Sequence, residues 1–222
     1  MIILRNDICT IPINEVFETV DGCPICRMKA TVENHILDYI MGAAMMEPDV
    51  RIETNRLGFC PEHLDKMMAR RGRLSLALML ESHMDEAKDI IKNQKKAAEL
   101  QESCFVCSKI DWGMSRMIDT VCRSYEDDRD FRALFDAQDC FCLEHYNTLA
   151  AAADKRRMRH YYKEFIKSLT DTTVAYAATL REDLKKYCSM SDYRNNGSDA
   201  DWGNSRDAVE RTVKFLGAKN NY

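Results

Sequence analysis

Eight residues carry the chemistry legible in this chain: Cys23, Cys26, Cys60 and His63 in the first half, and Cys104, Cys107, Cys142 and His145 in the second. The first half runs Cys23-Pro24-Ile25-Cys26 and later Phe59-Cys60-Pro61-Glu62-His63. The second runs Cys104-Phe105-Val106-Cys107 and later Phe141-Cys142-Leu143-Glu144-His145. The CxxC and CxxH are separated by 33 residues in the first half (27–59) and 34 in the second (108–141). Three thiols and one imidazole form a complete tetrahedral set for zinc, and a closed set of four keeps no position for substrate. The expectation is two zinc ions per chain, with thiolate softness as the guide. An iron–sulfur cluster is the alternative, because clusters also accept such donors. The nearly equal gaps favour pairing within each repeat. The crossed arrangement, CxxC of one half with CxxH of the other, stays open.

Such motifs have to be positioned by helix starts. A CxxC or CxxH in a first helical turn puts two side chains on one side, and the helix N-terminus favours the thiolate that a metal needs. A zinc with three thiolates carries net negative charge. Arg27 or Lys29 in the first half and Lys109 in the second stand where they would offset it.

The composition supplies helices. Eight Gly and four Pro in 222 residues imply few turns, and the periodic stretches are rich in Leu, Ala, Met, Glu, Lys and Arg. The expected fold is all-α: two similar helical units from an internal duplication, each clamped by a Cys3His site, plus a C-terminal loop and helix. The offset between copies is 81 residues for the CxxC and 82 for the CxxH. The segments are an N-terminal arm (1–22), a first repeat (23–101), a second repeat (102–188) and a C-terminal loop and docking helix (189–222).

Within the first repeat, helix is expected from Pro24 to about Met46, with Val32, Ile36, Tyr39, Ile40 and Ala43 as its apolar stripe. Another starts at Pro61. Leu74 to Leu100 reads as one long helix whose first half, apolar nearly all round, is the buried centre. In the second repeat, helices are expected over 104–125, 128–135, 142–153 and 158–187. The last has Tyr161, Tyr162, Phe165, Leu169, Val174, Tyr176, Leu180 and Leu184 as core candidates. Ser189 to Asn204 is turn-rich. Ser205 then caps a helix over 206–216, docked through Val209, Val213 and Leu216, with Trp202 pinning the loop.

The remaining candidates have plainer readings. Cys140 forms a Cys-x-Cys with Cys142 and is read as a packed small residue before a spare ligand or reactive thiol. Cys9, Cys122 and Cys188 are read as core. His35, His83 and His160 are read as surface or satisfied helix histidines, and the Met41–Met46 cluster as core before contact surface. A thioredoxin-like dithiol would need a βαβ pattern, which is missing. Phosphate-loop, dinucleotide, zinc-protease and serine-nucleophile motifs are missing too.

A formal net charge of −4 argues against a general nucleic-acid binder. No apolar run approaches the ~20 residues of a membrane span, and the start lacks a signal-peptide pattern. Ten cysteines in a chain of this kind point to metal ligands in the cytoplasm. The functional expectation is a non-enzymatic, zinc-stabilised binding or regulatory module with a protein partner. One alternative is an iron–sulfur or thiol-based redox or metal-handling protein. Another is an enzyme with a site between the halves that uses Glu47, Asp49, Arg51, Glu53 and Asp192.

The sequence also resembles an uncharacterised bacterial family, a domain of unknown function found mostly in anaerobic Firmicutes. The resemblance rests on residues 10–18, Cys23-Pro24-Ile25-Cys26, residues 41–60, residues 74–82, the second CxxC/CxxH pair, Asp192-Tyr193-Arg194-Asn195-Asn196 and residues 202–216. It spans nearly the whole chain and carries no activity to transfer. It implies a bacterial, cytoplasmic protein, and an anaerobic setting adds weight to the iron–sulfur alternative.

Overall fold

The computed structural model describes residues 13–192 and 201–217, and among these the regular structure is helix, with no strand. In order the helices are α1 (Ile13–Glu18), α2 (Pro24–Met41), a 3-10 turn (Ala43–Met46), α3 (Pro48–Leu57), α4 (Pro61–Ala69), α5 (Arg73–Ile90), α6 (Gln94–Glu102), α7 (Phe105–Asp127), α8 (Arg129–Asp136), α9 (Leu143–Ala152), α10 (Tyr162–Met190) and α11 (Ala208–Phe215). Proline opens α2, α3 and α4, where its missing N–H costs nothing and its fixed φ suits the first turn. Asp128 caps α8 by accepting from the N–H groups of Asp130 and Phe131. Residues 1–12 of the expected arm and 193–200 of the expected loop lie outside the described residues.

The chain divides into two compact units. One contains Met28–Met117; the other contains residues 13–27 and the described residues from 118 onward. The division falls inside α2 and inside α7, so the units do not coincide with the two repeats.

In the first unit α3 lies against α5, which also meets α4 and α6. Val32, Ile36 and Ile40 of the expected stripe are buried. Tyr39 is half-buried, with its hydroxyl donating to Glu47 Oε2 at 2.8 Å. The side chain of Ala43 lies outside the described set.

Three expectations fail in this unit. The helix expected from Pro24 to about Met46 ends at Met41, and a separate 3-10 turn covers Ala43–Met46. The single helix over 74–100 is broken, because Asn93 turns its side chain onto the N–H of Lys96 and starts α6 afresh. The start of α5 is not a buried centre either. Leu76 and Met79 are buried, but Leu74 is 71% exposed and Ala77 is exposed. Apolar residues on every side of a helix do not guarantee neighbours on every side.

The second unit has an aromatic core. Phe17, Tyr125, Phe131, Phe135, Phe141 and Phe165 are all buried. Phe135 sits at their centre, with ring centroids 4.9 Å from Phe141, 5.0 Å from Phe165, 5.1 Å from Tyr125 and 5.8 Å from Phe17. α10 packs on α8, α9 and α11. Phe165, Leu169 and Leu180 are buried as expected, whereas Val174 is exposed.

The final helix docks, but of the expected apolar face only Val213 is half-buried. Ala208 is buried, Phe215 meets Tyr176 at 5.8 Å and Arg211 pairs with Asp183 at 2.9 Å, while Val209 and Leu216 are exposed. Ser205 does not cap it. Its hydroxyl donates to Trp202 O at 2.6 Å, and Asp207 occupies the cap position. Trp202 lies edge-on against Tyr187 at 5.8 Å, which holds this end of the loop on α10.

Candidate metal centres

In the second unit, Cys23 and Cys26 open α2, and Cys142 and His145 open α9. Their ligand atoms all lie within 4.8 Å of one another. His145 Nδ1 is 3.1 Å from Cys142 Sγ, 3.2 Å from Cys26 Sγ and 3.6 Å from Cys23 Sγ, and the Cys26 and Cys142 sulfurs are 3.6 Å apart. The aromatic core aims both helix starts. Phe17 ends the approach to Cys23, and Phe141 directly precedes Cys142. Gln138 ties them by donating to Phe17 O at 2.7 Å and Leu134 O at 3.0 Å. Arg27 gathers a carbonyl from the last turn of α1 and carbonyls of the loop that leads to Cys23. It donates to Val16 O at 2.9 Å and Gly22 O at 3.1 Å, and also to Asp21 O.

In the first unit, Cys60 and His63 open α4, and Cys104 and Cys107 open α7, again all within 4.8 Å. His63 Nδ1 is 3.1 Å from Cys60 Sγ, 3.4 Å from Cys104 Sγ and 3.5 Å from Cys107 Sγ; Cys60 Sγ is 3.9 Å from Cys107 Sγ. The other imidazole nitrogen, Nε2, donates to Glu33 Oε1 at 2.9 Å, and Lys66 holds the same oxygen at 2.7 Å. A carboxylate behind a histidine fixes its tautomer and raises its basicity toward a metal, and losing such a partner typically costs 10–100-fold in affinity. Glu33→Ala is expected to weaken zinc at this site by about that factor, with the other site unchanged, in competition against a chromophoric chelator. In the sequence the duplicated position, 33 + 81, is Met114.

The approach to Cys60 depends on Gly58. Its φ of 59° with ψ of −156° suits glycine only, and a Cβ there would stand 3.0 Å from the His83 ring. Its carbonyl accepts the N–H of Phe105 at 2.9 Å, while the Ser103 hydroxyl donates to Leu57 O at 2.7 Å. These bonds lay the entry to α7 along the entry to α4. His83, read from sequence as a satisfied histidine, places Nδ1 2.8 Å from Asn55 O. Gly58→Ala is expected to cost about 1–3 kcal/mol in denaturant unfolding, from backbone strain.

The geometry fits a tetrahedral ion. With metal–sulfur bonds of ~2.3 Å and metal–nitrogen bonds of ~2.0–2.1 Å, the tetrahedron edges are roughly 3.8 Å between sulfurs and roughly 3.5 Å between sulfur and nitrogen. The observed edges, 3.6 and 3.9 Å for sulfur pairs and 3.1–3.6 Å for sulfur to nitrogen, fall around those values. The electrostatics agree. Hydrogen bonds, first from Cys142 and then from Cys26, hold the Cys23 thiol far down, at about 3, while the same contacts push Cys26 up. Burial, followed by Cys104 and Cys60, pushes Cys107 up to about 12. Sulfurs this close do not all ionise without a cation among them.

The eight sequence candidates are therefore gathered into two Cys3His groups, but the pairing favoured from the gaps is reversed. Each CxxC meets the CxxH of the other repeat. Equal gaps measure chain length, whereas the gaps here are filled with rods. α2 has 18 residues and α7 has 23, lengths of about 27 and 35 Å. The short α3 and α8, about 15 and 12 Å long, do not lead the chain back to the helix start it left.

Other expectations are adjusted around the sites. Arg27 serves backbone carbonyls, and Lys109 reaches both Glu53 oxygens at 2.9 Å. Cys140 and Cys122 are buried and Cys188 is exposed, so the last is not core; Cys9 lies outside the described residues. Burial, with the charges of Cys23 and Cys142, pushes Cys140 up to about 12. Of the residues proposed for an enzymatic groove, Glu47 accepts from Tyr39 and Glu53 from Lys109. Glu33 and Gln138 were missed because their roles depend on contacts 30 and 121 residues away in sequence.

An all-α chain built by duplication, with two Cys3His groups at helix starts, is the class of protein that fold and site define. The chain belongs to a family of unknown function, DUF6062, whose model matches it twice, over residues 4–100 and 90–221. No curated protein and no solved structure matches it.

Proposed function

We propose that this protein is a zinc-stabilised helical module that holds two zinc ions per chain and works by presenting its surface to a protein partner. The observation that carries the reading is the closed donor set. In each group all four corners of a tetrahedron are filled by side chains of the protein, which is the arrangement of structural rather than catalytic zinc. Thiolate donors are at home in a reducing compartment, so the cytoplasm suits it. Among the described residues no helix is long and apolar enough to cross a membrane. Met46 (73% exposed) in the 3-10 turn and Ile52 (66% exposed) in α3 offer apolar side chains for contact.

Metal analysis of the purified protein tests the reading. A colourless preparation with two zinc per chain is expected. A brown one with iron and sulfide overturns it in favour of a cluster. The contact surface is tested by Met46→Glu with Ile52→Glu, which is expected to remove a co-purifying protein while leaving helicity and zinc content unchanged. Retention of every such partner removes this face from the proposal.

A further inference from the structure

The two metal centres share a donor set but not an environment. Cys26 is exposed, whereas Cys107, its counterpart in the other group, is only half-buried, as is Cys60. His63 is braced by Glu33 and Lys66, and the sequence puts methionine at the position duplicating Glu33. Cys26 also lies 3.6 Å from the buried Cys142 sulfur, so an oxidant reaching the exposed thiol finds a second sulfur beside it.

We propose that Cys26 is an oxidation site for hydroperoxides, and that its oxidation opens the Cys23/Cys26/Cys142/His145 centre while the other centre stays closed. The proposal rests on the zinc reading above. Reactivity follows thiolate character and exposure, and Cys26 is the cysteine of the two donor groups whose residue is exposed. The Cys26 sulfur attacks one oxygen of ROOH. The O–O bond breaks, ROH leaves, and Cys26 becomes a sulfenic acid, having given up two electrons. The Cys142 sulfur then attacks the Cys26 sulfur. The S–S bond forms as the S–O bond breaks, and the oxygen leaves as water with a proton from solvent. In sum, two ligand thiolates, two protons from solvent and ROOH give one disulfide, ROH and H2O. Cys23 and His145 remain, two donors where four are needed, and the ion is released. A dithiol reductant with added zinc reverses the change by exchange.

The test uses the full chain with its metal, treated with graded hydrogen peroxide. Native mass spectrometry reads the zinc content, and differential alkylation with peptide mapping reads the cross-link. The expected first product holds one zinc and a Cys26–Cys142 disulfide, with Cys60, Cys104 and Cys107 still reduced. Loss of both ions together, a first disulfide elsewhere, or release of one ion with Cys26 unmodified overturns the proposal. A starting protein without zinc sinks the earlier reading instead. The order of cross-linking is still read in that case: Cys26–Cys142 first supports the oxidation site and any other pair first overturns it.

Discussion

Serine at both Cys60 and Cys104 is expected to leave one zinc per chain, whereas serine at both Cys23 and Cys60 is expected to leave none. Cys60 and Cys104 belong to one group, so the first pair of substitutions empties one centre and spares the other. Cys23 and Cys60 belong to different groups, so the second pair damages both. Pairing within the repeats demands the reverse outcome, which makes the zinc count decisive. The stability effect should be large, because structural zinc contributes on the order of 10 kcal/mol to folding in small zinc domains. In the Cys60→Ser/Cys104→Ser protein, hydrogen exchange is expected to accelerate in α4 and the first turns of α7 and to stay slow in α8, α9 and α10. Native mass spectrometry supplies the metal count.

Phe135→Ala is expected to destabilise the second unit by about 3–5 kcal/mol, the range for removing a fully buried ring. Phe135 touches four other aromatic rings, and two of them, Phe17 and Phe141, belong to the segments that deliver Cys23 and Cys142. The cavity should therefore loosen both helix starts at once. Denaturant unfolding measures the first effect. Chelator competition should show weaker zinc at the Cys23/Cys26/Cys142/His145 centre and unchanged zinc at the other. Equal weakening at both centres, or a loss below about 1 kcal/mol, would contradict the role given to this core.

The helical class, the duplication and the eight ligand candidates were legible because each leaves a local mark: a composition, a repeated spacing, a proline or glycine at a helix end. Pairing left no such mark. It is decided by the lengths of α2 and α7 and by the bonds of Leu57 and Gly58 to Ser103 and Phe105, 46 and 47 residues on. Burial misled for a related reason. Leu74 and Val174 continue good apolar patterns but are exposed among the described residues, and the pattern does not say where neighbours end. Asn93 is a readable sign of the break, since a side chain suited to capping stands in the middle of an apparently continuous helical pattern. Glu33 could not be found by spacing at all, because it sits a full helix away from the histidine it braces.

The exchange of ligand pairs has a mechanical corollary at the turn between α5 and α6. A protease cut there, between Ile90 and Gln94, separates Cys23, Cys26, Cys60 and His63 from Cys104, Cys107, Cys142 and His145. Each metal centre takes two donors from each fragment. With an ion in each group the nicked protein would be laced across the cut, and a chelator is then expected to part the pieces. Each fragment carries two donor pairs that the fold assigns to different groups, so a single repeat keeping this geometry would complete each group with a pair from a second molecule. Joining two copies in one polypeptide replaces that encounter with a tether, which raises the local concentration of each pair for the other without any new contact.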